Sequence, residues 1–249
     1  MKNKTIVLIG GGENGREGYP YETEAIDRTI VELTKKKNPN FVFLGINTNF
    51  ANSYYNTMTK IYGEKFNCKC FHLTEEILKD QIKAKELINS ADILYIGGGT
   101  TEILMRKLKK YNALNLLLEA YNNGCIMAGL CSGALFWCNG GVSLRQNNKT
   151  TYKNSGYFKI KTFGVVPIEF CPHYNVDTNR RTAALDMVSM KHVKKIIACD
   201  NCAALFVYNN EKYDVVCSNE SASIKKLHIV DNYVVEEKIA THGNIKDLI

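Results

Sequence analysis

The sequence predicts an α/β fold in which a mostly parallel β-sheet carries helices on both faces. Short apolar runs alternate with amphipathic segments, and the runs are continuously apolar, as in Thr5–Ile9 and Phe41–Leu44. Continuous apolar strands are typical of a parallel sheet that is buried on both faces. Because no linker, low-complexity tract or internal repeat interrupts the 249 residues, we expect a single domain spanning residues 1–249.

The first half of the chain alternates regularly between strand and helix. Thr23 is a favourable N-cap for a first helix that ends near Lys36, and Ile26 and Ile30 share one face of it. Thr74 is an equivalent start signal further along. The remaining predicted strands here are Cys68–Leu73, Ala91–Ile96 and Cys125–Leu130, and the remaining helices are roughly Ser53–Tyr62, Glu102–Lys110 and Leu114–Asn122.

The last hundred residues are more mixed. A helix is expected from about Thr178 to Ser189, and Asn209-Asn210 is a hairpin turn signal between two apolar runs. The apolar late hairpin is compatible with a homodimer. The predicted strands are Ile168–Cys171, Ile196–Cys199, Ala204–Tyr208, Tyr213–Cys217 and Ile224–Val230.

Three glycine-rich turns fall at the carboxyl ends of predicted parallel strands, where open α/β sheets bind their ligands. They are Gly10–Gly12, Gly97–Gly99 and Gly129–Gly133, and we expect them to converge on one rim. The first does not fit a dinucleotide-binding fingerprint, because Pro20 delays the helix and no acidic residue follows the second strand. A tight loop beside an active site is the preferred interpretation, and no cofactor is expected.

The Gly129–Gly133 turn carries the strongest chemical signal. It joins an apolar strand to an apolar helix with small residues on both flanks, which is the pattern of a nucleophile elbow. Cys131 occupies the nucleophile position, where a helix N-terminus favours a thiolate, and the Ser132 amide would face a developing oxyanion. A buried structural cysteine is the alternative, and Ser132 is a rival nucleophile.

A cysteine nucleophile needs a base, and His173 is the candidate. Among five histidines it alone is predicted at a rim turn, directly after a short strand and Pro172. On the helix that follows, Arg180 and Arg181 are candidates for binding a substrate carboxylate, with a solvated helix face as the alternative.

Composition narrows the setting. Nine cysteines, an odd number, in a chain of this size without an export signal predict reduced thiols and a cytoplasmic protein. Cys68 and Cys70 lack a second pair with zinc spacing, so no metal is expected. The net charge of +7 comes from lysines scattered among asparagines, which argues against nucleic-acid binding, and the apolar runs are too short for a membrane span.

At these residues the sequence resembles the dipeptidase E / cyanophycinase family of serine-dependent peptidases, which share the class I glutamine amidotransferase-like fold. The resemblance covers most of the chain. It implies that Cys131 stands in place of the family's serine, that His173 is the catalytic histidine, and that Gly98 and Gly99 belong to the oxyanion loop. The stretches that carry it are Gly10–Glu13, Tyr95–Thr100, Gly129–Ala134, Cys171–Tyr174 and Asp200–Ala204.

Two features depart from that family. The nucleophilic serine is replaced by cysteine, and no Asp or Glu occurs from Ser132 through Ile168 to orient the histidine. Ser143, Asn147 and Asn175 are the candidate orienting residues. Glutamine amidotransferases often have Glu where this chain has Asn175, so their pattern also fails here.

The expected activity is therefore hydrolysis of a small peptide or amino-acid amide. Cys131 would be the nucleophile, His173 the base, and the Gly99 and Ser132 amides the oxyanion hole. Two alternatives stay open at this point. One is other thiol chemistry on the same fold, such as glutaminase, deglycase or redox sensing, and the other is a non-catalytic relative that binds a ligand or protein.

Overall fold

The computed structural model describes residues 3–144 and 156–249, which form two β-sheets with helices packed around them. The strands are β1 (Thr5–Ile9), β2 (Asn40–Leu44), β3 (Lys69–His72), β4 (Ile93–Ile96), β5 (Ile126–Leu130), β6 (Cys138–Leu144), β7 (Tyr157–Lys161), β8 (Val166–Cys171), β9 (Lys195–Cys199), β10 (Ala203–Tyr208), β11 (Lys212–Cys217), β12 (Ile224–Val230), β13 (Tyr233–Lys238) and β14 (His242–Asn244).

The larger sheet has eight strands in the order β14-β11-β10-β1-β5-β4-β2-β3. Strands β1, β5, β4, β2 and β3 pair in parallel, whereas β10, β11 and β14 add antiparallel pairs on the β1 side. Because the five parallel strands run in one direction, their carboxyl ends share one rim, as the sequence predicts.

Helices cover both faces of this sheet, as predicted. They are α1 (Glu24–Leu33), α2 (Ala51–Met58), α3 (Glu75–Lys79), α4 (Gln81–Ser90), α5 (Thr101–Lys110), α6 (Ala113–Asn122), α7 (Ser132–Trp137) and α8 (Thr178–Ser189), with a π-helical segment Thr59–Lys65 and a 3₁₀ turn Ile245–Asp247. One face packs against α1, α2 and the π-helical segment. The other packs against α3 to α7 and against the second sheet.

The second sheet has six strands in the order β13-β12-β9-β8-β6-β7. Its inner face shares a hydrophobic core with the larger sheet, and its outer face is covered by α8. This packing brings the end of β8, which leads to His173, over the rim where β1 and β5 end. None of the helices in the described ranges has the length and apolar character to span a membrane.

Several element boundaries differ from the sequence-based expectation. The helix expected near Ser53–Tyr62 is α-helical only to Met58 and then continues as the π-helical segment. The helix expected from Thr74 stops at Asp80, because the Asp80 carboxylate caps a new helix by accepting from the amides of Ile82 and Lys83. At the predicted hairpin turn, Asn209 and Asn210 both have positive φ.

Candidate active site

The turn after β5 holds Cys131 in the conformation of a nucleophile elbow. Cys131 has φ 55° and ψ −109°, a strained backbone conformation for a residue with a side chain. Its amide donates to the Ile9 carbonyl at 3.0 Å, and its carbonyl accepts from the Leu135 amide at 2.9 Å. A Cβ on Gly129 would lie 2.3 Å from the Gly133 carbonyl, so the strand and helix can approach only with glycine there. The sharp turn leaves Cys131 half-buried at the rim.

The Ser132 hydroxyl is buried and hydrogen-bonded. Its side chain is 2% exposed, and its Oγ accepts from Asn47 Nδ2 at 2.8 Å. The same Asn47 nitrogen donates to the Gly97 carbonyl at 2.9 Å, which ties the β4 loop to the elbow. Ser132 is also the first residue of α7, so its backbone N–H has no acceptor within the helix. The hydroxyl therefore has a buried partner in Asn47, and the backbone N–H belongs to the first turn of α7.

His173 lies in the loop between β8 and α8, and the first glycine turn is shaped to receive it. Its amide donates to the Gly10 carbonyl at 3.1 Å, and its Nδ1 lies 2.7 Å from Asn201 Oδ1. A Cβ on Gly11 would lie 2.2 Å from that Asn201 oxygen and 2.3 Å from His173 Nδ1. The glycine run after β1 thus makes room for this side-chain pair, in agreement with a tight loop beside the site.

The residue that orients the imidazole is Asn201, and the expectation of Ser143 or Asn175 needs correction. Asn175 is one step removed, because its Oδ1 accepts from the Asn201 backbone amide at 2.8 Å. Ser143 is buried in β6 and lines the cavity beside Cys131. Asn147, the remaining candidate, lies outside the described residues. An amide oxygen at Nδ1 accepts the proton there, which leaves Nε2 for proton exchange.

The thiol of Cys131, the imidazole of His173 and the guanidinium of Arg180 form one electrostatic unit. Burial alone would raise the pKa of Cys131, but the charge and hydrogen bond of His173, followed by those of Arg180, lower it to about 6. Burial would lower the pKa of His173, but the Cys131 thiolate and the Asn201 hydrogen bond raise it above its ordinary value. The arrangement therefore stabilises the charged forms of both groups, the Cys131 thiolate and the His173 imidazolium.

Arg180 and Arg181 have different surroundings although they are neighbours on α8. The Arg180 guanidinium is buried, with Nη1 lying 3.8 Å from Cys131 Sγ and 3.4 Å from the Pro172 carbonyl. Asp177 anchors it, because a carboxylate oxygen of Asp177 lies 3.5 Å from Arg180 Nε. Arg181 points away from the elbow and pairs with Glu236 of β13 at 2.7 Å. Of the two arginines, Arg180 is the one that lies beside Cys131.

Two cavities meet the elbow. A narrow one of about 130 Å³ contains Cys131 and Arg180 in its wall, together with Gly99, Thr100, Thr101, Ser132, Leu135, Val142, Ser143, Leu144 and Pro172. A larger cleft of about 730 Å³ contains His173, Gly98 and Leu130 in its wall, together with residues of the β1–α1 loop and of α2. Within the described residues, no group of three or more His, Cys, Asp or Glu side chains is placed to hold a metal ion.

The β4 loop lies between these cavities. Gly99 lines the narrow cavity together with Ser132. The neighbouring Gly98 amide instead donates weakly to the Tyr54 hydroxyl at 3.5 Å. Gly99 and Ser132 therefore line the same cavity as Cys131, whereas the Gly98 amide contacts Tyr54.

The model of Peptidase family S51 matches residues 6–215. The chain belongs to this family. The predicted resemblance to dipeptidase E is thereby confirmed, and so are the peptidase class and the class I glutamine amidotransferase-like fold.

Individual relatives of this S51 member agree. It is 26% identical over 242 residues to "Uncharacterized peptidase YgaJ" of Bacillus subtilis (strain 168), covering 94% of this chain and 96% of the relative. It is 31% identical over 91 residues to "Peptidase E" of Shewanella sp. (strain ANA-3), covering 36% of each chain. The crystal structure of a peptidase from an acI-B1 Actinobacterium superposes with a TM-score of 0.71 at 17% identity, covering 95% of this chain and 94% of that one.

Sequence reasoning on this S51 member missed Asn201 and the anchor of Arg180. Asn201 lies in the stretch Asp200–Ala204, which resembles the family, but nothing local in that stretch indicates a contact with a histidine 28 residues earlier. The anchor is Asp177, whose carboxylate caps α8 and also accepts from the Tyr157 hydroxyl. Its position before a predicted helix explains the cap but not the contact with Arg180.

Proposed function

We propose that this S51 peptidase is a cysteine-dependent hydrolase in which Cys131 attacks the scissile carbonyl and His173 is the acid and base. The observation that carries the proposal is the elbow cysteine, whose pKa is lowered to about 6 by His173 and Arg180 against the effect of burial. The other described thiols with resolved shifts, such as Cys125 and Cys138, have raised pKa values because they are buried without an imidazole partner.

The reaction follows from these positions. The Cys131 thiolate forms a C–S bond with the carbonyl carbon, and the carbonyl electron pair moves to the oxygen, which accepts from the Gly99 and Ser132 amides. The His173 imidazolium gives its proton to the leaving nitrogen as the C–N bond breaks. His173 then takes a proton from water, whose oxygen attacks the thioester, and the C–S bond breaks to restore the thiolate.

Asn201 is the positioning residue in this mechanism. By accepting at Nδ1 it keeps the ring oriented and stabilises the imidazolium, a role that other hydrolases give to a carboxylate. A neutral amide suffices because the thiolate already exists before substrate binds, whereas a serine hydroxyl must be deprotonated during attack.

Arg180 is proposed to bind a carboxylate of the acyl group in the narrow cavity. Its guanidinium is 8% exposed and borders both the sulfur and the cavity. A cavity of about 130 Å³ suits one small residue, so the substrate class is a short peptide or amide with a small acidic residue before the scissile bond.

The test compares wild-type protein with Cys131→Ala and Cys131→Ser on dipeptides and amino-acid amides that begin with aspartate, alanine or lysine. Turnover is expected for aspartyl substrates and is expected to disappear in Cys131→Ala. Equal turnover by wild type and Cys131→Ala would overturn the nucleophile assignment. Equal kcat/KM for aspartyl and lysyl substrates would overturn the role of Arg180.

A further inference from the structure

The cleft that contains His173 has no role in the mechanism so far. It borders the β4 loop at Gly98, whereas the narrow cavity borders the same loop at Gly99. Because His173 must protonate the leaving nitrogen, the group that leaves has to lie on the side that His173 faces. The cleft is therefore where the leaving half of a substrate would bind, on the basis of the proposed function.

The two sides differ greatly in size. The cleft has a volume of about 730 Å³ and the acyl cavity about 130 Å³. Sites that enclose a drug-sized molecule measure roughly 300–1,000 Å³, so only the cleft is in this range. A single leaving amino acid would fill a small part of it.

The length of the cleft can be measured along the wall formed by α2 and the π-helical segment. Its lining side chains recur on one helix face: Ser53, Tyr54, Asn56, Thr57 and Lys60. Tyr54 touches the Gly98 amide and so marks the end beside the elbow. Lys60 is six residues further, roughly 9 Å along a helix. An extended peptide advances about 3.3–3.6 Å per residue, so this distance corresponds to roughly three residues.

The chemistry of the wall suits a peptide with a free carboxyl end. Phe50 is 74% exposed on the cleft, which offers an apolar surface to a leaving-group side chain. Lys60 is an exposed cation at the far end. The other cation of the wall, Arg16, pairs with Glu13 at 2.9 Å and lies over the Tyr19 ring. The carboxylates of the wall, Glu13 and Glu17, lie with Arg16 on the β1–α1 loop, whereas Lys60 lies on the π-helical segment.

We propose that the cleft binds a leaving group of about three residues whose terminal carboxylate pairs with Lys60. The preferred substrate of the Cys131 reaction is then a peptide of about four residues, cleaved after its first residue, and not a dipeptide. No chemical step is added, because the His173 proton goes to the leaving peptide's amine as the amide C–N bond breaks.

The first test is a length series, Asp-Ala, Asp-Ala-Ala, Asp-Ala-Ala-Ala and Asp-Ala-Ala-Ala-Ala, hydrolysed by wild-type protein. Since binding energy from remote residues can lower the barrier at the reacting bond, kcat/KM is expected to rise about tenfold from dipeptide to tetrapeptide and then to level off. A series in which the dipeptide is cleaved as fast as the tetrapeptide, or faster, would overturn the proposal.

The second test concerns the carboxylate. Asp-Ala-Ala-Ala is compared with its C-terminal amide in wild type, in Lys60→Ala and in Lys109→Ala, an exposed lysine of α5 that serves as the matched control. Wild type and Lys109→Ala are expected to prefer the free acid by severalfold, and Lys60→Ala is expected to lose that preference. An unchanged preference in Lys60→Ala contradicts the assignment of Lys60.

A binding measurement separates this proposal from the proposed function. Calorimetric titration of Cys131→Ala with Asp-Ala and with Asp-Ala-Ala-Ala needs no turnover. Tighter binding of the tetrapeptide than of the dipeptide, and its weakening when Lys60→Ala is added to Cys131→Ala, would support peptide binding in the cleft. This result does not depend on whether Cys131 is the nucleophile. Equal binding of the two peptides overturns the cleft proposal even if aspartyl dipeptides are hydrolysed through Cys131.

Discussion

Cys131 and Cys171 both lie near Arg180, yet their surroundings shift the pKa values of their thiols in opposite directions. Cys131 directly follows β5, Cys171 is the last residue of β8, and both thiols are within the electrostatic influence of Arg180. Burial raises the pKa of Cys171 to about 12, and Arg180 only partly opposes this. At Cys131 burial acts in the same direction, but His173 and Arg180 reverse it and lower the pKa to about 6.

The difference arises from the backbone. Cys171 continues its strand, so its side chain packs into the core beneath α8. Cys131 adopts positive φ at the elbow and meets the imidazole of His173. A nearby cation is therefore insufficient to activate a thiol in this fold, and the strained turn with an imidazole partner is what distinguishes the two residues.

The largest expected effect comes from removing each thiol in turn, which tests the difference in chemical role between Cys131 and Cys171. Cys131→Ala is expected to lower kcat by at least about 10³-fold on an aspartyl peptide, because the nucleophile is lost. Cys171→Ala is expected to retain kcat within about twofold, because its thiol has no chemical role. Steady-state kinetics on the two purified variants gives the answer, and a similar loss in both would mean that position 131 is not special.

The orientation of His173 is the next largest effect. Asn201→Ala is expected to lower kcat by about 10–100-fold with little change in KM, because loss of a residue that orients a reactive group typically costs that much. Asn201→Asp keeps an acceptor at Nδ1 and should retain most of the activity. If Asn201→Ala matched wild type in kcat, the Asn201 contact would be incidental.

Removing the positive charge of Arg180 tests its effect on the pKa of the Cys131 thiol. In wild type the thiolate of Cys131 forms as pH rises through about 6. Arg180→Met removes a positive charge that favours the thiolate, so its formation should shift to higher pH. Ultraviolet thiolate absorbance against pH measures this, with Cys131→Ala as the blank. The control is Arg181→Met, whose guanidinium pairs with Glu236 and should leave the midpoint unchanged.

The smallest effect is on stability. Cys171 is fully buried in the core beneath α8, so Cys171→Ala should lower the free energy of unfolding by about 1 kcal/mol through lost packing. Urea denaturation of the variant and wild type tests it. Destabilisation without loss of kcat is the expected pattern for a structural cysteine, and loss of kcat without destabilisation would reverse its assignment.

Local signals in the sequence are sufficient to predict the strands and the turn that form the rim of the parallel sheet. The apolar runs gave β1, β2, β4 and β5, and the small residues around Cys131 gave the elbow. Strands β6, β7, β13 and β14 were missed. The glycine pair in β6 and the alternating half-exposed residues of β13 do not form a continuous apolar run. A second sheet that packs on the first is a tertiary feature, which periodicity along the chain does not encode.

The residues of the site also fall into those that local sequence indicates and those that depend on tertiary contacts. Cys131 and His173 are predicted as site residues because each follows a strand at a turn with unusual local composition, and the structure brings their side chains together. Asn201 could not be found in this way, because its contact with His173 depends on two loops meeting over Gly11. Ser143 and Asn175 were chosen by chain position, and the structure puts both close to the site but neither at the imidazole.

Cys131 is expected to be a thiolate near neutral pH, whereas the other thiols are expected to stay protonated. Alkylation of the wild-type protein by iodoacetamide at pH values from about 4 to 9, followed by mass spectrometry of each cysteine-containing peptide, tests it most directly. We predict that Cys131 reacts first and that its rate rises with a midpoint near pH 6. A midpoint near that of an ordinary thiol, or faster reaction at another cysteine, would contradict the claim.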